Sequence, residues 1–254
     1  LNIPLLDNRI YAQIRKTLID SLGGRFREVI VGGAAMNEEV TEFLYKIKFP
    51  FTIGYGMTEC GPLISYDHND EFIPGSSGQI LKGIMQVRID SEDPYNKVGE
   101  IQIKGENVMK GYFKNEEATK NTFTEDGWMR TGDLGTIDHD NRIYIRGRCK
   151  TMILGPSGQN IYPEEIESKL NNLPFVMESI IIERNGKQIG LVYPDYDMVD
   201  SAGLSHNDLP VIMEQNRLRL NELLAPYEAV SEIQLYPTEF EKTPKKSIKR
   251  YLYS

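Results

Sequence analysis

Cysteine is nearly missing from this 254-residue chain. Cys60 and Cys149 are the only two, too few for a disulfide framework, and such sparse thiols point to a reducing compartment. That makes the cytoplasm the expected location. A basic excess is missing as well: 29 Lys and Arg stand against 37 Asp and Glu, a formal charge of −8, which argues against general nucleic-acid binding. No apolar run approaches the ~18 residues that span a bilayer, and no charged-then-apolar segment opens the chain. Peripheral membrane contact and oligomeric state are left open. Histidine is scarce, and His68, His139 and His206 lack the spacing of metal ligands. No internal repeat or low-complexity segment is present. The first residue is Leu1 rather than Met, as in a chain cut from something longer.

What is present reads as an ordinary globular protein, 40% apolar and 26% charged, long enough for one large domain or two of ordinary size. Asp7 is a candidate N-cap for a helix carrying Ile10, Ile14, Leu18 and Leu22, stopped by Gly23-Gly24. Phe26 to Val31 reads as a buried strand. Asn37 caps a second helix with Glu38 and Glu39 in its first turn, and Val40, Phe43, Leu44 and Ile47 are its expected buried face. Phe51 to Tyr55 makes another strand. Strand alternating with helix predicts a parallel α/β layer, whose ligands bind beyond the carboxyl ends of the strands.

Two Gly-rich turns sit at those ends, Gly32-Gly33-Ala34-Ala35 and Gly54-Tyr55-Gly56-Met57-Thr58-Glu59. The second offers an aromatic face, a hydroxyl and a carboxylate, a set able to stack a base, touch a phosphate and hold a hard cation. It reads equally well as a polar loop with an edge tyrosine. From about Pro74 to Ile145 the texture changes to short strands, Gln86–Asp90, Glu100–Lys104 and the hairpin Leu134–Ile145 turning at Asp138–Asn141. This predicts a small antiparallel barrel or sandwich. After Lys150 a separate α+β unit is expected. It has a helix opened by Pro163, an Asn185-Gly186 hairpin, a helix after Asp208 carrying Ile212, Leu218 and Leu223, and a last strand near Ile233.

Between these parts lies Trp128–Lys150. Asp133 sits in a tight Thr-Gly-Asp turn, and Arg146, Arg148 and Lys150 follow the hairpin. A carboxylate and a guanidinium brought together in this way suit the vicinal hydroxyls of a ribose. Trp128 is expected to pack beneath the turn that aims Asp133, Cys60 to serve packing alone, and Glu164, Glu165 and Glu167 to be helix-start charges.

Taken together, Gly54–Glu59, Gly127-Trp128-Met129-Arg130-Thr131-Gly132-Asp133, and Arg146–Lys150 with Asn160–Glu167 resemble the acyl-adenylate-forming enzymes. Gly99–Gly105 with Gly111-Tyr112 and the Gly32-Gly33-Ala34 turn resemble further parts of that family. The branch resembled most is the bacterial long-chain fatty acid–CoA ligases. The resemblance implies that residues 1–149 are the C-terminal part of a large AMP-binding domain, an α/β layer plus a small antiparallel β-barrel. Residues 150–254 would be a mobile α+β C-terminal domain with its hinge at Lys150. Tyr55 would lie against adenine, with Gly32, Gly33 and Ala34 as the other wall. Thr58 would contact the phosphates, Glu59 would help hold Mg²⁺, and Asp133 and Arg148 would take the ribose. ATP, a fatty acid and coenzyme A would be the substrates, joined through an acyl-AMP intermediate.

Two departures from the family pattern qualify this. The phosphate loop with its lysine would lie upstream of Leu1, so the fragment alone is expected to be inactive. The adenylation lysine aligns with Ser247, which leaves Lys245, Lys246 or Lys249 to serve, with Lys246 favoured, or the tail as a solvated basic end. Two other readings stand beside the ligase, an adenylation domain that loads a carrier protein and a non-catalytic nucleotide-binding fragment.

Overall fold

The computed structural model describes residues 4–33, 35–155, 158–244 and 247–253, and contacts divide the chain into two units, 1–145 and 146–254. The division falls slightly ahead of the 149/150 boundary that the resemblance implies.

In the first unit, helix α1 (Pro4–Ser21) opens on a proline, whose fixed φ suits the first helical position, so Asp7 lies inside the helix and not at its cap. Gly23 and Gly24 stop it with φ of +91° and +69°, values that favour glycine. Strand β1 (Val29–Val31) precedes helix α2 (Glu38–Lys46), where the Asn37 side chain accepts from Val40 N at 3.1 Å. The inward stripe of α2 runs through Thr41, Leu44 and Ile47. Val40 and Phe43, expected inside, are 45% and 42% exposed, because the stripe is set one step round the helix. Strand β2 (Phe51–Ile53) pairs parallel to β1, Val29 opposite Phe51, as the alternation predicts. Ile47, Phe49, Phe51 and Phe72 form the core here, with Ile14 and Leu18 packed on it. Ile10, Leu22, Ile30 and Tyr45 are exposed, like Val40 and Phe43.

Strand β3 (Tyr55–Gly56) then pairs antiparallel with β4 (Leu63–Ser65). Strands β5 (Met85–Asp90) and β6 (Gly99–Gly105), helix α3 (Glu116–Thr122), and strands β7 (Met129–Ile137) and β8 (Ile143–Arg148) follow. Among the described residues the expected barrel is a four-stranded sheet in the order β5-β6-β7-β8, antiparallel from β5 to β7. Ile64, Ile101, Ile103, Met129 and Ile143 fill its core. Trp128 lies half-buried immediately before β7. The Arg88 guanidinium lies over its ring at 4.7 Å and also grips Asp126. The β7–β8 turn falls where expected, the Asp138 carboxylate accepting from Asp140 N and Arg142 N at 2.9 and 2.8 Å. Arg142 then reaches the buried Asp67, Nε to Oδ2 at 2.9 Å.

In the second unit, β9 (Ile153–Leu154) and β10 (Asn160–Ile161) form a small ladder before helix α4 (Pro163–Leu170). Strands β11 (Val176–Arg184) and β12 (Lys187–Pro194) join at Asn185-Gly186, both at positive φ as a primed hairpin turn demands. Helices α5 (Tyr196–Ser201) and α6 (Leu209–Glu222) lead to β13 (Val230–Leu235), parallel to β12. Helix α6 buries Leu209, Met213, Asn216 and Leu220, whereas Leu218 and Leu223 face out. Ile166, Leu170, Ile181 and Val192 share this core.

Glu167 is no surface helix-start charge. It lies on the inner side of α4, accepts from Ile181 N at 2.6 Å and pairs with Arg250. Burial pushes its carboxyl up to about 7, against the pull of Arg250. A raised folded pKa gives stability that is full below the ordinary carboxylate value and lost as pH rises through about 7. Glu167→Gln should therefore abolish a pH-dependent loss of up to about 3 kcal/mol in this unit. Urea unfolding at mildly acidic and mildly alkaline pH measures it, and an unaltered slope in the variant would refute the assignment.

Candidate active site

The Gly54–Glu59 turn is shaped by close backbone approach. A Cβ on Gly56 would lie 2.1 Å from the Pro62 carbonyl oxygen, so only glycine lets β3 close on the segment before β4. Thr58–Cys60 forms a single 3₁₀ turn. Asn107 Nδ2 donates to the Cys60 and Leu63 carbonyls at 2.7 and 3.0 Å, and Met109 N donates to the Glu59 carbonyl at 2.7 Å. The segment after β6 thus pins the turn from outside. Thr58 is exposed, Glu59 half-buried and Cys60 buried. Burial, then the Glu59 charge, pushes the Cys60 thiol up to about 12, which fits packing rather than reactivity.

Tyr55 and Asp133 meet. Tyr55 is 8% exposed and its hydroxyl donates to Asp133 Oδ2 at 2.7 Å, with Asp133 itself 5% exposed. Burial first, and the Asp133 charge second, raise the Tyr55 phenol well above its usual value, so it stays a donor. The Thr131-Gly132-Asp133 turn is held from below: Thr131 Oγ1 donates to the Ile101 carbonyl at 2.7 Å and accepts from Asp133 N at 3.1 Å. Gly132 has φ +72°, and Glu100 accepts from its N–H at 3.2 Å. A buried carboxylate on a braced turn is preorganised to accept paired hydroxyl donors.

Glu59 has a partner that local sequence patterns miss. The Tyr112 hydroxyl donates to Glu59 Oε1 at 2.9 Å across 53 residues. The Gly111-Tyr112 pair was visible as a motif, but nothing in its spacing points to Glu59. Mg²⁺ takes oxygen ligands and is commonly held by one or two carboxylates plus substrate phosphates. A single oriented carboxylate beside the exposed Thr58 hydroxyl fits that role. Among the described residues no group of three acidic, His or Cys side chains could hold a metal alone.

The remaining expected residues fall as follows. Gly32 and Gly33 follow β1, and a Cβ on Gly32 would lie 3.2 Å from the Gly54 carbonyl, which brings the two Gly-rich turns together. Ala34, Lys245 and Lys246 lie outside the described residues. Arg148 and Lys150 belong to the second unit and are exposed, and the Arg148 carbonyl accepts from Met152 N at 3.1 Å. Lys249 pairs with Glu241 at 3.1 Å.

Residues 5–113 match the profile of the family described as AMP-binding enzyme. Rice (Oryza sativa subsp. japonica) 4-coumarate–CoA ligase-like 4 is 33% identical over 83% of this chain and 38% of its own length. Long-chain-fatty-acid–CoA ligase FadD15 of Mycobacterium bovis is 27% identical over 97% of this chain and 42% of its own. The crystallised o-succinylbenzoate coenzyme A synthetase of Bacillus subtilis, in complex with ATP and magnesium ion, superposes with a TM-score of 0.70 at 25% identity, over 93% of this chain and 49% of that one. This chain thus spans half or less of each. The match over residues 5–113 places that stretch of the chain in the AMP-binding enzyme family.

Proposed function

We propose that this chain is the C-terminal part of an acid–thiol ligase that activates a carboxylic acid with ATP as acyl-AMP and passes the acyl group to coenzyme A. The observation that carries this is the Tyr55–Asp133 pair beside the Glu59 turn, an aromatic face and two placed carboxylates in one unit. Tyr55 and the Gly32-Gly33 turn would flank adenine. Asp133 would accept ribose hydroxyl donors, Thr58 would meet the phosphates, and Tyr112 would hold Glu59 for a cation arriving with the nucleotide. When bound, Mg²⁺ supplies neutralisation of charge on the phosphate oxygens. The residues here bind and orient, and a carboxylate oxygen of the acid then attacks the α-phosphorus as pyrophosphate leaves.

The acid favoured is a long-chain fatty acid, because FadD15 aligns over almost all of the chain. The higher identity of the rice relative favours an aromatic acid as the second reading. A cytoplasmic place of action belongs to the same proposal. Pyrophosphate–ATP exchange by the complete enzyme with palmitate, 4-coumarate and 2-succinylbenzoate should be fastest with palmitate. Preference for 4-coumarate would install the second reading. Exchange with none of a broad acid panel would leave nucleotide binding without activation, and acceptance of the acyl group by a carrier protein but not coenzyme A would identify a loading domain.

A further inference from the structure

The C-terminal tail is the part of the second unit whose construction the proposed reaction leaves unexplained. Its two legs pair: Lys242 bridges to Ile248, Thr243 N donates to the Ser247 carbonyl at 2.8 Å, and Lys249 N donates to the Glu241 carbonyl at 2.8 Å. Both legs are packed down. Phe240 is buried against Ile180, Ile182 and Leu191, and Ile248 and Tyr253 close over the same cluster. The Tyr253 hydroxyl accepts from Glu241 N at 2.7 Å.

Each described cation of this hairpin is matched to a carboxylate. Lys242 reaches Glu178 at 2.7 Å, Lys249 reaches Glu241 at 3.1 Å, and Arg250 reaches Glu167. The pairs differ in kind. Lys249, half-buried, and Glu241, exposed, lie on the two legs of one hairpin, so their pair ties the hairpin to itself. Arg250 ties it to something else. Its guanidinium meets the buried Glu167 of α4, donates to the Ile181 carbonyl of β11 at 3.4 Å, and lies 3.8 Å from Glu164 Oε1. A planar fork facing a carboxylate and a carbonyl fixes direction as well as distance, which an ammonium does not.

Glu164 is also shared. Its Oε1 accepts from the Thr151 hydroxyl at 2.6 Å, and Thr151 is the residue after Lys150. Its Oε2 is buried with no hydrogen-bond partner among the described residues. A buried carboxylate oxygen left unmatched is costly, while Oε1 faces two donors, the Thr151 hydroxyl and Arg250 Nε, that a small rotation of the carboxylate would redistribute.

We propose that Arg250 is a positioning residue that locks the tail hairpin onto helix α4, with Glu164 linking that lock to Thr151 so that the segment after Lys150 and the tail are set together. The inference rests on the ligase reading above, and it gives Lys249 the task of a strut, not that of the reacting amine. The resemblance assigns the tail's reactive lysine to the adenylating half of the reaction. A tail held in the wrong direction should therefore impair that half selectively.

In the complete enzyme, Arg250→Ala should lower acid-dependent pyrophosphate–ATP exchange about 100-fold, the scale of an ångström-sized misplacement. Thioester formation from supplied acyl-adenylate should change less than about fivefold, within the range of a lost exposed contact. Arg250→Lys keeps the charge without the fork and should fall between the two. Thr151→Val combined with Arg250→Lys should be non-additive, as for residues sharing a partner. Equal loss in both half-reactions, or additive effects, would overturn the proposal. Amide hydrogen exchange across residues 241–250 tests it independently of activity. Faster exchange in Arg250→Ala supports the lock even if no acid is ever activated, a result that would sink the ligase reading alone. Unchanged protection would overturn the lock.

Discussion

Replacing Asp67 by alanine should strip about 3–5 kcal/mol from the first unit, the cost of leaving a buried cation without its partner. Arg142 is 9% exposed, and its Nε donates to Asp67 Oδ2 at 2.9 Å while Asp67 Oδ1 accepts from Gln79 N at 3.2 Å. The Asp67 backbone carbonyl also accepts from the Thr52 hydroxyl at 2.8 Å. One acid thus joins β2, the segment before β5 and the β7–β8 turn. Asp140, 3.0 Å from Arg142 on its outer side, is exposed and cannot replace a buried partner. Urea unfolding followed by the fluorescence of Trp128, the chain's single tryptophan, reports on this unit. Asp67→Asn should cost less, since it keeps the size and an acceptor. Asp67→Leu together with Arg142→Leu should recover most of the loss, because removing both charges removes the desolvation debt. A loss below about 1 kcal/mol in Asp67→Ala would show that the pair behaves like a surface contact.

Asp133→Ala should lower ATP use by the complete enzyme on the order of 1,000-fold. Two hydrogen bonds to a charged acceptor, each contributing about 1.5–3 kcal/mol, amount to about 4 kcal/mol. The low exposure of Asp133 places those bonds where water competes poorly. Tyr55→Phe removes only the hydroxyl that holds the carboxylate, so about tenfold is expected, as for one neutral donor. The effect should appear in the KM for ATP before it appears in that for the acid. Equal ATP use by wild type and Asp133→Ala would refute the ribose assignment.

Much of the local architecture was legible because its causes lie within a few residues. The Asn37 cap, the Gly23-Gly24 stop and the Asn185-Gly186 turn are each set by one side chain or one φ. The parallel β1–β2 pair followed from strands separated by a helix. The phase of a short amphipathic helix was not legible. Val40, Phe43, Leu44 and Ile47 fall in one arc of about 100°, yet packing turned helix α2 so that Thr41 joins Leu44 and Ile47 inside while Val40 and Phe43 face out. The ties that build the candidate site were also hidden, since Tyr55 meets Asp133 across 78 residues and Tyr112 meets Glu59 across 53. Glu167 misled for the same reason: three glutamates at a helix start look alike until Arg250, 83 residues on, selects one. The roles of the site residues came from resemblance, because spacing places residues in sequence, while a ligand reads them in space.

The exposed Ile10, Leu22, Ile30, Val40, Phe43 and Tyr45 have a practical consequence at the bench. They lie on α1 and just past its end, on β1 and on α2, and β1 pairs with β2 alone among the described residues. Expressed by itself, this chain would bind strongly to hydrophobic-interaction resin and clump as it is concentrated, despite its net negative charge. Mild detergent, or charged residues at Val40 and Phe43, would keep it in solution.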